Sequence, residues 1–97
     1  MTIGLVATLT VQAGKGSDFE AAFADLQKIV KVSEPGCLQY DLFKSQKEEN
    51  LYVVYEQYAD DAALKAHAQT DEAKAGMKKM GAFLGGAPTV QVLTKVS

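Results

Sequence analysis

The stretch Leu-Tyr-Val-Val-Tyr-Glu-Gln-Tyr, residues 51–58, narrows the folds open to this chain more than any other. Its aromatic and β-branched side chains favour an extended backbone. As a strand it points Tyr52, Val54, Glu56 and Tyr58 one way and Leu51, Val53, Tyr55 and Gln57 the other. Both sets are bulky and largely apolar. A strand with one wet face alternates apolar with polar residues, so this one needs cover on both sides. A chain of 97 residues makes one domain and buries only roughly two-thirds of its unfolded surface. Cover for two faces is therefore scarce within one copy.

The remaining elements follow from local pattern. Residues 3–12 alternate, with Ile3, Leu5, Ala7, Leu9 and Val11 on one face and Val6, Thr8 and Thr10 opposite, which predicts a first strand. After the loop 13–17, Ser17 and Glu20 have capping-box spacing. Phe19, Ala22, Phe23, Leu26, Ile29 and Val30 then form a helical stripe over 18–32. Pro35 disfavours the helical conformation at Glu34, so Ser33–Gly36 ends the helix. Residues 37–44 are a second strand, joined to 51–58 by the polar turn 45–50 as a hairpin. Asp60 can cap a short helix through His67. Thr70 can cap another, with Ala73, Met77, Met80 and Leu84 as its buried stripe. Residues 85–88 end that helix, and 89–96 form a fourth strand.

The order β-α-β-β-α-β predicts a ferredoxin-like α+β fold, a four-stranded antiparallel sheet with its helices on one face. The opposite face keeps Leu51, Val53 and Tyr55, with Phe43, Leu93 and Val6 on neighbouring strands. An apolar patch of that extent marks an interface. A second copy packed sheet against sheet would bury about 800 Å² per subunit, so a homodimer is expected.

Composition excludes several functions. The net charge is −2 and all ten cations are lysines, so neither a basic nucleic-acid surface nor the bidentate arginine fork that grips phosphates is present. Cys37 is alone and cannot form an intramolecular disulfide. No run approaches the roughly 20 apolar residues of a membrane span, and the apolar start lacks the basic segment of a signal peptide. A soluble, cytoplasmic protein is expected. Residues 13–17 carry glycines and a lysine but not the spacing of a phosphate-binding loop. One histidine, one cysteine and carboxylate pairs on solvent faces make a poor metal set.

The run Glu34, Pro35, Gly36, Cys37, Leu38 and Tyr40 resembles the helix-to-strand turn of the antibiotic biosynthesis monooxygenase family, whose members are dimeric α+β barrels. Tyr55-Glu56-Gln57-Tyr58 is similar to that family's Tyr-Glu-x-Trp, with Tyr58 at the tryptophan position, and Ala66-His67 matches a common Ala-His pair. The likeness extends over almost the whole chain. Thr70 is kept, but Glu72 and Ala73 stand where the family often has a second histidine and a phenylalanine. A haem-degrading branch carries an axial histidine further along, and residues 72–80 contain none, so haem is not expected.

The resemblance implies oxidation of a small aromatic or quinol-type molecule by O₂ with no metal, flavin or other cofactor. His67 would be the base and Tyr58 would orient the ring or donate a hydrogen bond. Glu56 on the same strand face could shuttle protons if buried. Each residue also has a plain structural reading: His67 as a solvated helix-end histidine, Glu56 as a paired surface carboxylate, Tyr58 as a core tyrosine. Tyr40 shares their face only in an even-sum hairpin register, and otherwise packs in the core or the interface. Phe23, Met77, Met80 and Phe83 would line the substrate pocket or simply fill the core. Two other activities suit the same scaffold, an isomerase of a small carbonyl compound and a non-catalytic dimeric binder of a small ligand.

Overall fold

The computed structural model describes residues 1–97. Four strands, β1 (Ile3–Thr10), β2 (Cys37–Lys44), β3 (Leu51–Tyr58) and β4 (Thr89–Thr94), form one antiparallel sheet in the order β2-β3-β1-β4. Helices α1 (Gly16–Ser33), α2 (Asp61–Gln69) and α3 (Asp71–Gly81) make the second layer. This is the ferredoxin-like arrangement that the element order predicts, with the second helical region broken in two.

The register decides which side chains meet the helices. Tyr58, Glu56, Val54 and Tyr52 of β3 lie opposite Ile3, Leu5, Ala7 and Leu9 of β1. Tyr40 lies opposite Glu56, the even-sum alternative, so it shares the helix-facing side. A bulge between Cys37 and Gln39 turns Leu38 outward. Along β3 the helix-facing residues are buried, whereas Leu51, Val53, Tyr55 and Gln57 on the other side are only partly so. The two-sided strand thus gets one side of its cover from this chain.

The core is a sandwich of Phe19, Ala22, Phe23, Leu26 and Val30 from α1 against Val11, Tyr40, Tyr52 and Val54 from the sheet. Burying each large apolar side chain contributes about 1.5–3 kcal/mol, and Leu26→Ala would forfeit roughly 2–5 kcal/mol. Helix α3 lies close on α1 because Gly76 has no Cβ, which would stand 2.7 Å from Leu26 Cδ2. Ile29, at the margin of the α1 stripe, is exposed, and Met77 on α3 is 46% exposed instead of buried.

The ends of the elements follow local chemistry in most places. Asp60 Oδ1 accepts from the Ala63 N–H at 2.8 Å and caps α2. Thr70 Oγ1 accepts from the Ala73 N–H at 3.0 Å and caps α3, while donating to the His67 carbonyl at 3.1 Å. The capping box predicted at Ser17 does not form: the α1 N-cap is Lys15 and carries no side-chain hydrogen bond. Glu20 instead accepts from the Tyr52 hydroxyl at 2.6 Å, and a Cβ at Gly16 would come 2.9 Å from that hydroxyl. A tyrosine from the sheet therefore fixes the start of this helix.

The helical layer stops short of β4. Val90 and Val92 pair with Ala7 and Leu5, on the helix-facing side, yet they are 53% and 60% exposed. The segment before β4 is tied to the end of β1 by a Val11–Leu84 bridge and by Gln12 Nε2, which donates to the Leu84 carbonyl at 3.0 Å. No helix is long and apolar enough to cross a membrane.

Candidate active site

The site is assembled where α1 ends. Glu34 is the C-cap residue of α1, its N–H on the Val30 carbonyl at 3.0 Å. Pro35 and Gly36 then reverse the chain into β2. Helix α2 sits on that turn: a Cβ at Gly36 would stand 2.7 Å from Ala63 Cβ, so glycine allows the approach, and the Ala59 N–H donates to the Gly36 carbonyl at 2.9 Å. His67 follows Ala63 by four residues, on the same side of α2.

His67 is 6% exposed, not the solvated helix-end histidine of its plain reading. Its Nδ1 lies 2.8 Å from Glu34 Oε1. Its ring packs between Tyr40 and Tyr58, with centroids 5.4 Å away in each case. Nε2 has no partner in the chain, and because no fully buried side-chain nitrogen or oxygen goes unpaired, it keeps accessible surface. The Tyr40 hydroxyl is in the same position. Behind Tyr40, Phe23 stacks at 5.1 Å and 10° and holds the phenol ring in place.

Glu56 is buried on β3 and accepts from the Tyr58 hydroxyl at 2.5 Å. Burial pushes its carboxyl above the usual carboxylate range; the Tyr58 hydrogen bond and His67 oppose that, and Glu34 adds to it. Burial, followed by the nearby Glu56 carboxylate, also raises the Tyr58 and Tyr40 phenols well above their ordinary value, so both remain hydrogen-bond donors. Burial, then Glu34 and Glu56, lifts the Cys37 thiol to about 11. Cys37 is thus a neutral thiol near pH 7, donating to the Gln39 carbonyl at 3.4 Å, and not a nucleophile.

A cavity of about 300 Å³ lies between the helices and the sheet, and 12 of its 16 lining residues are hydrophobic. His67, Glu56, Tyr40, Met77 and Met80 all lie on its wall. Met77 and Val90 line this cavity and are both largely exposed, so the cavity opens to solvent beside them. Phe23, Tyr58 and Phe83 do not line the cavity: Phe23 backs Tyr40, Tyr58 lies behind Glu56 with no exposed surface, and Phe83 packs against the core. A larger groove of about 520 Å³ runs outside α1 along the edge of β2. It is open to solvent, and neither His67 nor Glu56 lines it, so the more enclosed cavity is the better candidate. Nowhere do three or more His, Cys, Asp or Glu side chains gather as a metal-binding set.

One feature of the site escapes sequence reasoning. Glu34 reads as part of a helix-stop turn, and the only hint of another role is a carboxylate at a helix C-terminus, where the dipole disfavours it. Glu72, at the position of the family's second histidine, is exposed on α3 and outside the cavity wall, while Ala73 is fully buried.

Comparisons with known proteins agree with this architecture. The family model described as "Antibiotic biosynthesis monooxygenase" matches residues 2–79. The Bacillus subtilis (strain 168) protein named "Putative monooxygenase YcnE" is 36% identical over 97 residues, covering 98% of each chain. A crystal structure of a "putative antibiotic biosynthesis monooxygenase" from Caulobacter crescentus CB15 superimposes with a TM-score of 0.95 at 48% identity, covering 99% of this chain and 91% of that one. SnoaB, a cofactor-independent oxygenase from Streptomyces nogalater, shares the fold at a TM-score of 0.86 and 18% identity, over 99% of this chain and 94% of that one.

Proposed function

The chain belongs to the antibiotic biosynthesis monooxygenase family, and from that premise we propose that it is a cofactor-independent monooxygenase acting on a small, uncharged aromatic or quinol-type molecule. The observation that carries this reading is a buried imidazole on the wall of an apolar cavity, with one nitrogen engaged by a carboxylate and the other unpartnered. No lysine lines the cavity and two carboxylates flank the imidazole, which disfavours a phosphorylated or carboxylated substrate.

The chemistry needs little from the protein. His67 Nε2 takes the proton of a substrate hydroxyl. The resulting phenolate, electron-rich and held away from water, gives electrons to O₂, and a ring carbon bonds to one oxygen atom. Protonation yields a hydroperoxide. Loss of water then breaks the O–O bond, with departure of the proton on that carbon, and leaves a new carbonyl. One atom of O₂ stays in the product and the other leaves as water, and all four electrons come from the substrate. The Tyr40 hydroxyl donates to the charge that develops on the substrate oxygen. Glu56, steadied by Tyr58, accepts or returns a proton. SnoaB, a cofactor-independent oxygenase of the same fold, is consistent with such chemistry on this scaffold.

The same reading includes a homodimer joined through the outer face of the sheet, where Val6, Leu51, Val53, Tyr55, Phe43 and Leu93 are left partly or largely exposed. Oxygen uptake with a naphthoquinol or an anthrone, with chelator present and flavin omitted, tests the activity. Turnover is expected, and His67→Ala should lower it about 100-fold or more. Conversion of substrate under argon would point to acid–base isomerisation instead.

A further inference from the structure

Glu34 costs the fold something where it stands. It follows the last turn of α1, beside the unpaired carbonyls that make a helix C-terminus negative. It is also largely removed from water, its side chain 13% exposed. Nothing in the turn requires a carboxylate, because the reversal is made by Pro35 and Gly36. Its one side-chain partner is His67 Nδ1, 33 residues away in sequence and 2.8 Å away in space. A carboxylate can only accept at that distance unless it is protonated, so Nδ1 carries a hydrogen, and in the neutral ring Nε2 is left with a lone pair.

We propose that Glu34 is the positioning residue of the site: it fixes the Nδ1–H tautomer and the ring plane of His67 so that Nε2 meets the substrate as a base. The carboxylate also stabilises the imidazolium formed when the substrate proton arrives, the arrangement in which a base is itself oriented by a third group. The approach of α2 over Gly36 is what brings the two side chains together. This rests on the assignment of His67 as the base, but the tautomer can be read without any turnover. The groups facing the imidazole are Glu34 from the end of α1, Tyr40 from β2, and Glu56 and Tyr58 from β3. Of these, only Glu34 is hydrogen-bonded to the ring.

The experiment uses the ¹⁵N-labelled full chain and long-range ¹H–¹⁵N correlations of the single imidazole, titrated with pH. In the wild type the neutral ring is expected to be Nδ1-protonated with an unprotonated Nε2. Glu34→Gln, whose amide can accept or donate, should mix the tautomers, while Glu34→Asp should keep the wild-type tautomer. An Nε2–H tautomer in the wild type overturns the proposal without recourse to a variant, as does an unchanged tautomer in Glu34→Gln. In the oxygen-uptake assay Glu34→Gln should lose about 10- to 100-fold in kcat with KM little changed. A wild type that keeps the Nδ1–H signature but turns over no quinol leaves the positioning role standing and removes the monooxygenase reading.

Discussion

Glu56 shows how a single residue can be read in two ways that the structure then separates. A surface carboxylate would be indifferent to neutral pH, but Glu56 is buried beneath the helices, and burial raises its carboxyl. The unfolded chain ionises this group near its ordinary value of roughly 4.3, while the folded chain holds the proton to a higher pH. Its contribution to stability is therefore complete below about pH 4 and is lost as pH rises towards the folded-state value. Glu56→Gln keeps an acceptor for Tyr58 and cannot ionise. Thermal unfolding at fixed protein concentration should find the variant and the wild type equal near pH 4 and the variant more stable at pH 8. Strand parity puts Glu56 and Tyr58 on one face, but the hairpin register that brings Tyr40 beside them is not written in the sequence, and His67 stood out as a base only through the family resemblance. The sequence could not mark Glu34, because a contact spanning 33 positions leaves no local trace. Nor could it separate Tyr58 from the cavity wall, because Glu56 on the same strand face comes between them.

Among the elements, the caps of α2 and α3 were legible because capping is decided within three residues: Asp60 holds the Ala63 N–H and Thr70 the Ala73 N–H. The start of α1 was not, because Tyr52 reaches across from β3 and takes the glutamate that the capping box would have used. Strands β2 and β3 begin and end where alternation and the polar turn place them. The other ends differ by a few residues: α1 opens early, at Gly16, β1 closes at Thr10, α3 stops at Gly81 so that Leu84 bridges to Val11 instead of extending its stripe, and β4 closes at Thr94, where pairing with β1 stops. The junction of α2 with the turn after α1 gives a sharp test. Gly36→Ala puts a methyl group 2.7 Å from Ala63 Cβ and should cost about 1–3 kcal/mol in denaturant unfolding. Ala63→Gly in the same background should restore most of that loss, a coupling that two independent sites would not show.

For the whole molecule, the two-sided character of residues 51–58 remains the governing fact. This chain covers the side bearing Tyr52, Val54, Glu56 and Tyr58 and leaves Leu51, Val53 and Tyr55 partly open. If a second copy covers them, the wild type should sediment at twice its 10.4 kDa mass at micromolar concentration. Val53→Lys, which sets a charge at the middle of that face, should weaken self-association by about 100-fold or more. A wild type that sediments as a single chain would overturn the dimer. Beside this lies the uneven reach of the helical layer, which shelters β1 and β3 but leaves Val90 and Val92 of β4 in the open. The doorway to the cavity is consequently framed by Met77 and Val90, side chains that carry little of the fold's weight. Substitutions at these two positions should therefore change access to the cavity while leaving the buried pair of Glu34 and His67 in place.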